Sequence, residues 1–323
     1  MTATNISQGK AGFSSAVKAA FVLAIGMGFG RFAFTAIYPH MVSEGVLTLG
    51  EGSLVASANY VGYLIGAILA LRVHAHNAHK ICLWSMIGTA VCLAILAILT
   101  STWIIIAIRA IAGIFSALSI VAASIWLLES RGHFGGSAIL YAGVGVGIAL
   151  SSELLILCTF IGLNSAGMWL ILGIISLVVS FILAPSLMTS NLSVCRPTIN
   201  PPSITHPPVA VRPLVTLYGL AGLGYIVTAT YLPLLVKTAL PNLDSAHIWA
   251  VFGIGAAPSC FLWHYLHEKL GTHKTLRLNL MIQAVGVSFP ILTQSAIGYL
   301  ISALLVGGTF MGTVTIAMPA AQR

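Results

Sequence analysis

Long apolar runs recur along almost the whole chain, and they constrain its fold more than any other feature. Ten runs can be delimited, each close to the ~20 residues that a helix needs to cross ~30 Å of hydrocarbon. Inside a bilayer every backbone N–H and C=O must be bonded within its own segment, so we predict that the runs are helices. The predicted spans are 17–40, 53–71, 81–100, 103–128, 137–160, 167–185, 213–236, 247–266, 276–293 and 296–318.

Charged residues are too few to cover a water-exposed globule. Only 6% of the residues are charged and 58% are apolar, whereas soluble domains carry about 25% charged residues. We therefore predict an all-α membrane protein and exclude a soluble enzyme. The sequence shows no Ser–His–Asp spacing, no H-E-x-x-H motif and no P-loop, so neither a catalytic site nor a cofactor is expected.

The positive charges collect in alternate connections between the runs. Those on one side, with the termini, are Lys10, Arg72, Lys80, Arg131, Arg196, Arg212, Lys269, Lys274 and Arg323. The opposite side has only Lys237, together with Glu44, Glu51 and Asp244. The positive-inside bias then predicts that both termini are cytoplasmic. It also explains the net charge of +8 without nucleic acid as a partner.

A proline-rich segment divides the runs into six and four. It covers 186–212 and is predicted to be an extended cytoplasmic linker, because its prolines disfavour a helix. The predicted organisation is a cytoplasmic tail at 1–16, a six-helix bundle at 17–185, the linker, and a four-helix bundle at 213–323.

The sequence matches itself across this linker at an offset of 194 residues. Gly28-Phe29-Gly30-Arg31 aligns with Gly222-Leu223-Gly224-Tyr225, and Gly113 aligns with Gly307. Parallel repeats of this kind indicate two related half-bundles. A second repeat of equal length would extend about 56 residues past 323, enough for two more helices. We therefore expect a twelve-helix design that lacks its last two helices at the C-terminus.

Three ionisable residues lie well inside the spans: Arg31, Arg109 and Glu153. The predicted topology places all three in the outer half of the membrane, so they could meet. Intramembrane charges usually face a bundle interior or a wet cavity. Two interpretations stay open: an Arg–Glu pair that only locks helices together, or a site for substrate or a coupling proton. The excess of arginine favours an anionic solute.

Other polar residues are weaker candidates. Tyr225, Thr228 and Thr230 in span 7, with Asn59 and Tyr63 in span 2, could line a cavity or bond neighbouring helices instead. The histidines at 74, 76 and 79 could form a metal tract, but a solvated loop is the favoured interpretation, and no metal site is predicted.

These features together resemble the major facilitator superfamily of secondary transporters, and most closely its YbfB/YjiJ-type group of bacterial members. Arg109-Ala110-Ile111-Ala112-Gly113 is similar to the superfamily's R-x-x-x-G motif in span 4. The group likeness is carried by Gly28–Phe34, Ala56–Tyr63, Tyr141–Ser151, Gly224–Thr230 and Gly307–Thr313. The usual span-5 proline and the usual pattern between spans 2 and 3 are absent.

The resemblance implies a multi-pass protein of the bacterial inner membrane, in which spans 1, 4, 7 and 10 line a central cavity. Arg31 and Arg109 would then lie on its wall. The predicted function is secondary active transport of a small solute by alternating access, with proton coupling through Glu153 and Arg109 as a hypothesis. The alternative is a truncated, transport-inactive remnant. Association of two copies could cover its open flank, although no sequence feature supports it.

Overall fold

The computed structural model describes residues 3–98, 101–188, 211–240 and 244–321, and it contains no strand within them. Helix α1 is continuous and consists of Ala3–Leu23, the π-helical Ala24–Phe32 and Ala33–Ser43. The helices that follow are α2 (Leu49–Leu69), α3 (Ala78–Leu96), α4 (Thr102–Ile125), α5 (Ser137–Phe160), α6 (Ser165–Met188), α7 (Val211–Ala239), α8 (Ser245–Leu292) and α9 (Ala296–Ala321). The short helical turns Ala70–Arg72, Trp126–Ser130 and Phe134–Gly136 extend or connect them.

Nine helices in the described part of the chain are long and apolar enough to cross a membrane. The predicted all-α membrane fold is therefore confirmed. The cytoplasmic tail predicted at 1–16 stays a prediction, although the structure makes much of this stretch helical, since α1 begins at Ala3. This stretch has no proline, so the helix can extend beyond the N-terminal end of the apolar run. Nearly all of the predicted linker lies outside the described residues.

Helix α8 is 48 residues long, yet it holds two of the ten predicted spans because it reverses at Gly271. Gly255 and Gly286 both pack against the same turn of α9, at Leu304 and Leu305. In a straight helix these two glycines would be roughly 46 Å apart. The chain therefore doubles back, and we refer to residues 245–270 and 272–292 as the first and second limbs of α8.

The predicted loop at 267–275 is wrong, since helix continues on both sides of Gly271. A φ of 75° at this residue is readily adopted only by glycine. Side chains complete the turn: His267 Nε2 lies 3.0 Å from Thr272 Oγ1, and Thr275 Oγ1 donates to the Leu266 carbonyl at 3.2 Å. One glycine and these bonds replace the loop that the polar residues had indicated.

The same close packing occurs twice in the bundle, as the repeat predicts. Gly62 of α2 and Gly113 of α4 each lie against the backbone of the other helix. Gly255 of α8 and Gly307 of α9 make the corresponding pair of contacts, close to 194 residues further along the chain. Small residues at such crossings allow backbones to approach and gain van der Waals contact, which drives helix association in lipid.

We refer to α1–α6 and α7–α9 as the first and second groups of helices. Helix α5 of the first group packs between α1 and the second group. Gly143 and Gly147 lie against the backbone of α1, while Gly145 lies against the backbone of the first limb of α8. Gly253 of α8 returns this contact by lying against the backbone of α5. The glycine run in span 5 therefore serves close helix packing on two of its faces.

A matched pair of glycine substitutions tests this packing. A Cβ at position 62 would collide with the backbone of Ala110, whereas a Cβ at position 222 would meet no atom within 4 Å. We expect Gly62→Ala to destabilise the detergent-purified protein by about 1–3 kcal/mol, because overpacking forces helices apart. Gly222→Ala is expected to leave stability unchanged. Equal melting temperatures for the two variants would contradict the α2–α4 contact.

Candidate functional site

The π-helical part of α1 places Arg31 inside the bundle. All nine of its residues, Ala24–Phe32, are buried. Gly28 lies against the backbone of Gly147 in α5, and Gly30 lies against the side chain of Thr89 in α3. Single π-helical turns are rare and often occur at functional sites, where they alter the direction of a side chain.

The Arg31 guanidinium is surrounded by aromatic rings. Its side chain is 6% exposed, and its central carbon lies 4.2 Å from the centre of the Tyr63 ring and 5.2 Å from that of Tyr60. Nη2 donates a long hydrogen bond of 3.4 Å to the hydroxyl of Tyr225, while Nε is buried without a partner. Cation–π attraction therefore contributes to its local stabilisation. Arg31 and Tyr225 occupy equivalent positions of the 194-residue repeat.

Arg109 holds the end of the π-helical turn. It is 1% exposed and donates hydrogen bonds to the carbonyl of Gly30 at 2.7 Å and to that of Arg31 at 3.1 Å. Its own carbonyl accepts a bond of 2.9 Å from Asn59 Nδ2 in α2. Arg109 thus connects α4 to α1 at the residue whose side chain enters the cavity, and it is a positioning residue for Arg31.

The structure separates Glu153 from both arginines. Its side chain is 57% exposed, and its ion-pair partner is Nδ1 of His247, 3.8 Å away. All six acidic side chains of the protein lie in the described part of the chain, and neither arginine forms an ion pair with one of them. The expected meeting of three charges is therefore wrong. The close contacts of α5 with α1 and α8 are made by its glycines, whereas Glu153 lies on an exposed face.

A cavity of about 300 Å³ lies between α1, α2, α7 and α9, with one contact from α4. Within the described ranges, Arg31 is the one charged residue of its lining. The other polar lining residues are Tyr60, Tyr63, Tyr218, Tyr225 and Thr313, and most of the remaining wall is apolar. The implied lining by spans 1, 4, 7 and 10 agrees with this cavity, to which α2 adds a further wall.

The other predicted site residues lie beside the cavity rather than on its wall. Asn59, Arg109 and Thr230 border an adjoining space of about 10 Å³, which could hold roughly one water molecule. The Thr230 hydroxyl donates to the carbonyl of Ile226 and lies 2.7 Å from the Tyr60 hydroxyl. Thr228 is buried but lines neither space.

Two aromatic lining residues escaped the sequence prediction. Tyr218 precedes Tyr225 by seven residues and so shares its helix face, a spacing that could have revealed it. The Phe310 ring packs against two others: it is tilted against the Tyr225 ring, with centres 4.9 Å apart, and edge-on to the Phe32 ring, with centres 5.4 Å apart. It lies inside an apolar run, where sequence alone gives no sign of which faces meet.

At one end of the bundle, side chains tie the two groups of helices together. Lys237 of α7 donates to the Pro39 carbonyl at 2.9 Å and to the Ser43 hydroxyl at 3.1 Å, both in α1. The hydroxyls of Tyr231 in α7 and Ser53 in α2 lie 3.0 Å apart. The cavity lies toward the opposite end, where α1 and α7 begin. The bundle is thus closed at one end and hollow at the other.

The histidine-rich connection after α2 shows no metal-binding arrangement. His74 and His76 are exposed, and their ring centres are 5.7 Å apart. No group of three or more His, Cys, Asp or Glu residues in the described ranges could hold a metal ion.

Two repeated helix groups around a buried, charged cavity define a membrane transporter of the major facilitator type. The chain belongs to the family described as "Uncharacterised MFS-type transporter YbfB", which matches residues 23–323. The resemblance stated from the sequence is therefore confirmed. Proteins of this class carry small-molecule solutes across membranes, and the chain is a transporter and not an enzyme.

Solved structures support the same fold. A bacterial homologue of the human lysosomal transporter Spinster, described as inward-facing and occupied, matches with a TM-score of 0.61 and 15% identity over 94% of this chain and 74% of its own. The inward-facing, unoccupied form matches with a TM-score of 0.63 and 14% identity over 96% and 75%. At these identities the likeness concerns the fold alone. No curated protein matches the sequence.

Removing Arg109 tests its role in holding α1. In Arg109→Ala the carbonyls of Gly30 and Arg31 lose their donors, and unpaired buried groups cost about 1–3 kcal/mol each. We expect a clear fall in the melting temperature of the purified protein. Arg277→Ala, which removes an exposed arginine, serves as the control. If both variants melt at the same temperature, Arg109 does not hold the turn.

Proposed function

We propose that the protein is a secondary active transporter that moves a small anionic solute by alternating access. The observation that carries this proposal is Arg31: a buried guanidinium on the wall of a cavity between two repeated helix groups, without a carboxylate partner. A cation in such a place needs a counter-charge, which a bound anion can supply. Cavities at the interface of repeats are the usual solute sites of such transporters.

The contacts at the closed end of the bundle are the ones that must break when this end opens. Opening that end requires Lys237 to leave Pro39 and Ser43, and Tyr231 to leave Ser53. The Tyr60–Thr230 contact and the bond from Trp249 Nε1 to the Phe32 carbonyl also join the two groups, so a rocking motion has to break these contacts together. With the predicted orientation of the termini, the closed end faces outward and the cavity faces the cytoplasm.

Proton coupling stays a hypothesis, and the structure does not bring together the two residues on which it was based. Glu153 and Arg109 do not touch, so they do not form a joint proton site in this conformation. Glu153 instead lies 3.8 Å from Nδ1 of His247, and both side chains are about half exposed. We expect Glu153→Gln to reduce solute-driven proton flux in reconstituted vesicles. Flux unchanged in both Glu153→Gln and Arg109→Ala would remove both residues from the coupling.

Alternating access can be tested without knowing the solute. Thr313 borders the cavity and is 3% exposed. After the native cysteines are replaced by alanine, Thr313→Cys should react with a membrane-impermeant thiol reagent from either side of the membrane. Cross-linking a Ser43→Cys/Lys237→Cys pair should then leave labelling from the cytoplasmic side only.

A second pair provides the control. Glu44 and Ser165 are hydrogen-bonded near the same end, but both belong to the first six helices. Cross-linking Glu44→Cys to Ser165→Cys should leave two-sided labelling intact. One-sided labelling before any cross-link, or two-sided labelling after the Ser43–Lys237 cross-link, would overturn alternating access.

A further inference from the structure

We infer that the solute is an amphipathic organic monoanion: a single carboxylate that binds Arg31, attached to a flat apolar or aromatic body that packs among the surrounding rings. This inference rests on the proposed transport function and narrows its substrate class. It excludes sugars and polyanions as preferred solutes of this cavity.

The charge of the lining calls for one negative group. Among the residues that the structure describes, Arg31 is the charged one that borders the cavity, and its Nε is buried without a partner. The ring of Tyr63 engages the guanidinium by cation–π attraction, which leaves N–H groups on the edge for hydrogen bonds. A carboxylate fits such an edge with two parallel bonds. A solute with several negative groups would find no second cation among the described residues of this wall.

The hydroxyl groups of the lining are mostly engaged already. The Tyr60 hydroxyl lies 2.7 Å from that of Thr230, and the Thr313 hydroxyl donates to Asn279 Oδ1 at 2.8 Å. The Tyr225 hydroxyl accepts from Arg31. A sugar needs a partner for each hydroxyl it buries, since an unpaired buried polar group costs about 1–3 kcal/mol. Among the described lining residues, Tyr63 and Tyr218 have hydroxyls outside these bonds, fewer than the several hydroxyls of a sugar need, so a polar body is disfavoured.

The apolar wall suits a ring or a short apolar chain. Phe310, Met311 and Val314 of α9 face Met27 of α1 and Leu64 of α2 across the cavity. Methionine and aromatic side chains adapt well to flat apolar groups. A volume of about 300 Å³ lies at the lower end of the roughly 300–1,000 Å³ typical of ligand pockets. One ring with a short acid side chain matches that size.

A binding panel on the purified protein tests this class. The probe is 3-phenylpropionate, compared with its neutral amide, with gluconate as a monoanion of polar body, and with citrate as a polyanion. We expect 3-phenylpropionate to bind roughly tenfold or more tightly than each of the others, as charge-assisted hydrogen bonds in a desolvated site imply. Equal or tighter binding of the amide, gluconate or citrate would overturn the inference.

Variants of Arg31 separate charge recognition from general loss of structure. Arg31→Gln should reduce the preference for the acid over the amide to about twofold or less, while the amide still binds and the melting curve stays cooperative. Arg31→Lys should keep part of the preference, because lysine retains the charge but not the bidentate geometry. Arg277→Ala, at an exposed position, should behave as the unmodified protein.

The outcomes distinguish this inference from the proposed function. If 3-phenylpropionate fails to bind at millimolar concentration while Thr313→Cys still shows two-sided labelling, the substrate class is wrong and transport stands. If the preference for the acid survives in Arg31→Gln, the site is not the one assigned. If Arg31→Gln unfolds, Arg31→Lys provides the test. A preference of this variant for the acid over the amide as large as that of the unmodified protein would show that the bidentate guanidinium is not what recognises the carboxylate.

Discussion

The hydrogen bonds from Arg109 to the carbonyls of Gly30 and Arg31 are the contact on which the rest of the site depends. They connect α4 to the irregular turn of α1 in the membrane interior, where water cannot replace them. Because this turn is fixed, the Arg31 side chain is directed between Tyr60 and Tyr63 rather than into lipid. Arg109 therefore holds the backbone of α1, and this places the charge of Arg31 on the cavity wall.

The bundle around this contact is assembled by close backbone packing rather than by ion pairs. Glycines at the α2–α4 and α8–α9 crossings bring the helices together in each group, and the glycines of α5 join α1 to α8. Lipid tails are as apolar as leucine, so apolar burial alone does not bring helices together in a bilayer. Small residues allow the close backbone contacts that bring particular helices together, and they leave the polar groups available for the cavity.

Much of this architecture was predictable because membrane spans obey strong local rules. Length, apolarity and loop charge sufficed for the spans, and the 194-residue offset already paired position 31 with position 225, which are in contact in the structure. The direction in which each residue points around its helix was not predictable. Glu153 was expected near Arg31 but lies on an exposed face, and Tyr218 joins the cavity through a helix spacing that the prediction did not use. The reversal at Gly271 was hidden by the polar residues beside it, which resemble an ordinary loop.

The isolation of Arg31 has an electrical consequence. A guanidinium without a carboxylate gives the empty cavity one net positive charge, and one elementary charge that crosses the whole membrane potential changes free energy by ~2.3 kcal/mol per 100 mV. When access switches from one side to the other, the field across this charge is redistributed. A bound monoanion would cancel it, so voltage would act mainly on the return of the empty protein and little on the loaded step. A single unpaired side chain would thereby determine which half of the transport cycle senses the energised membrane.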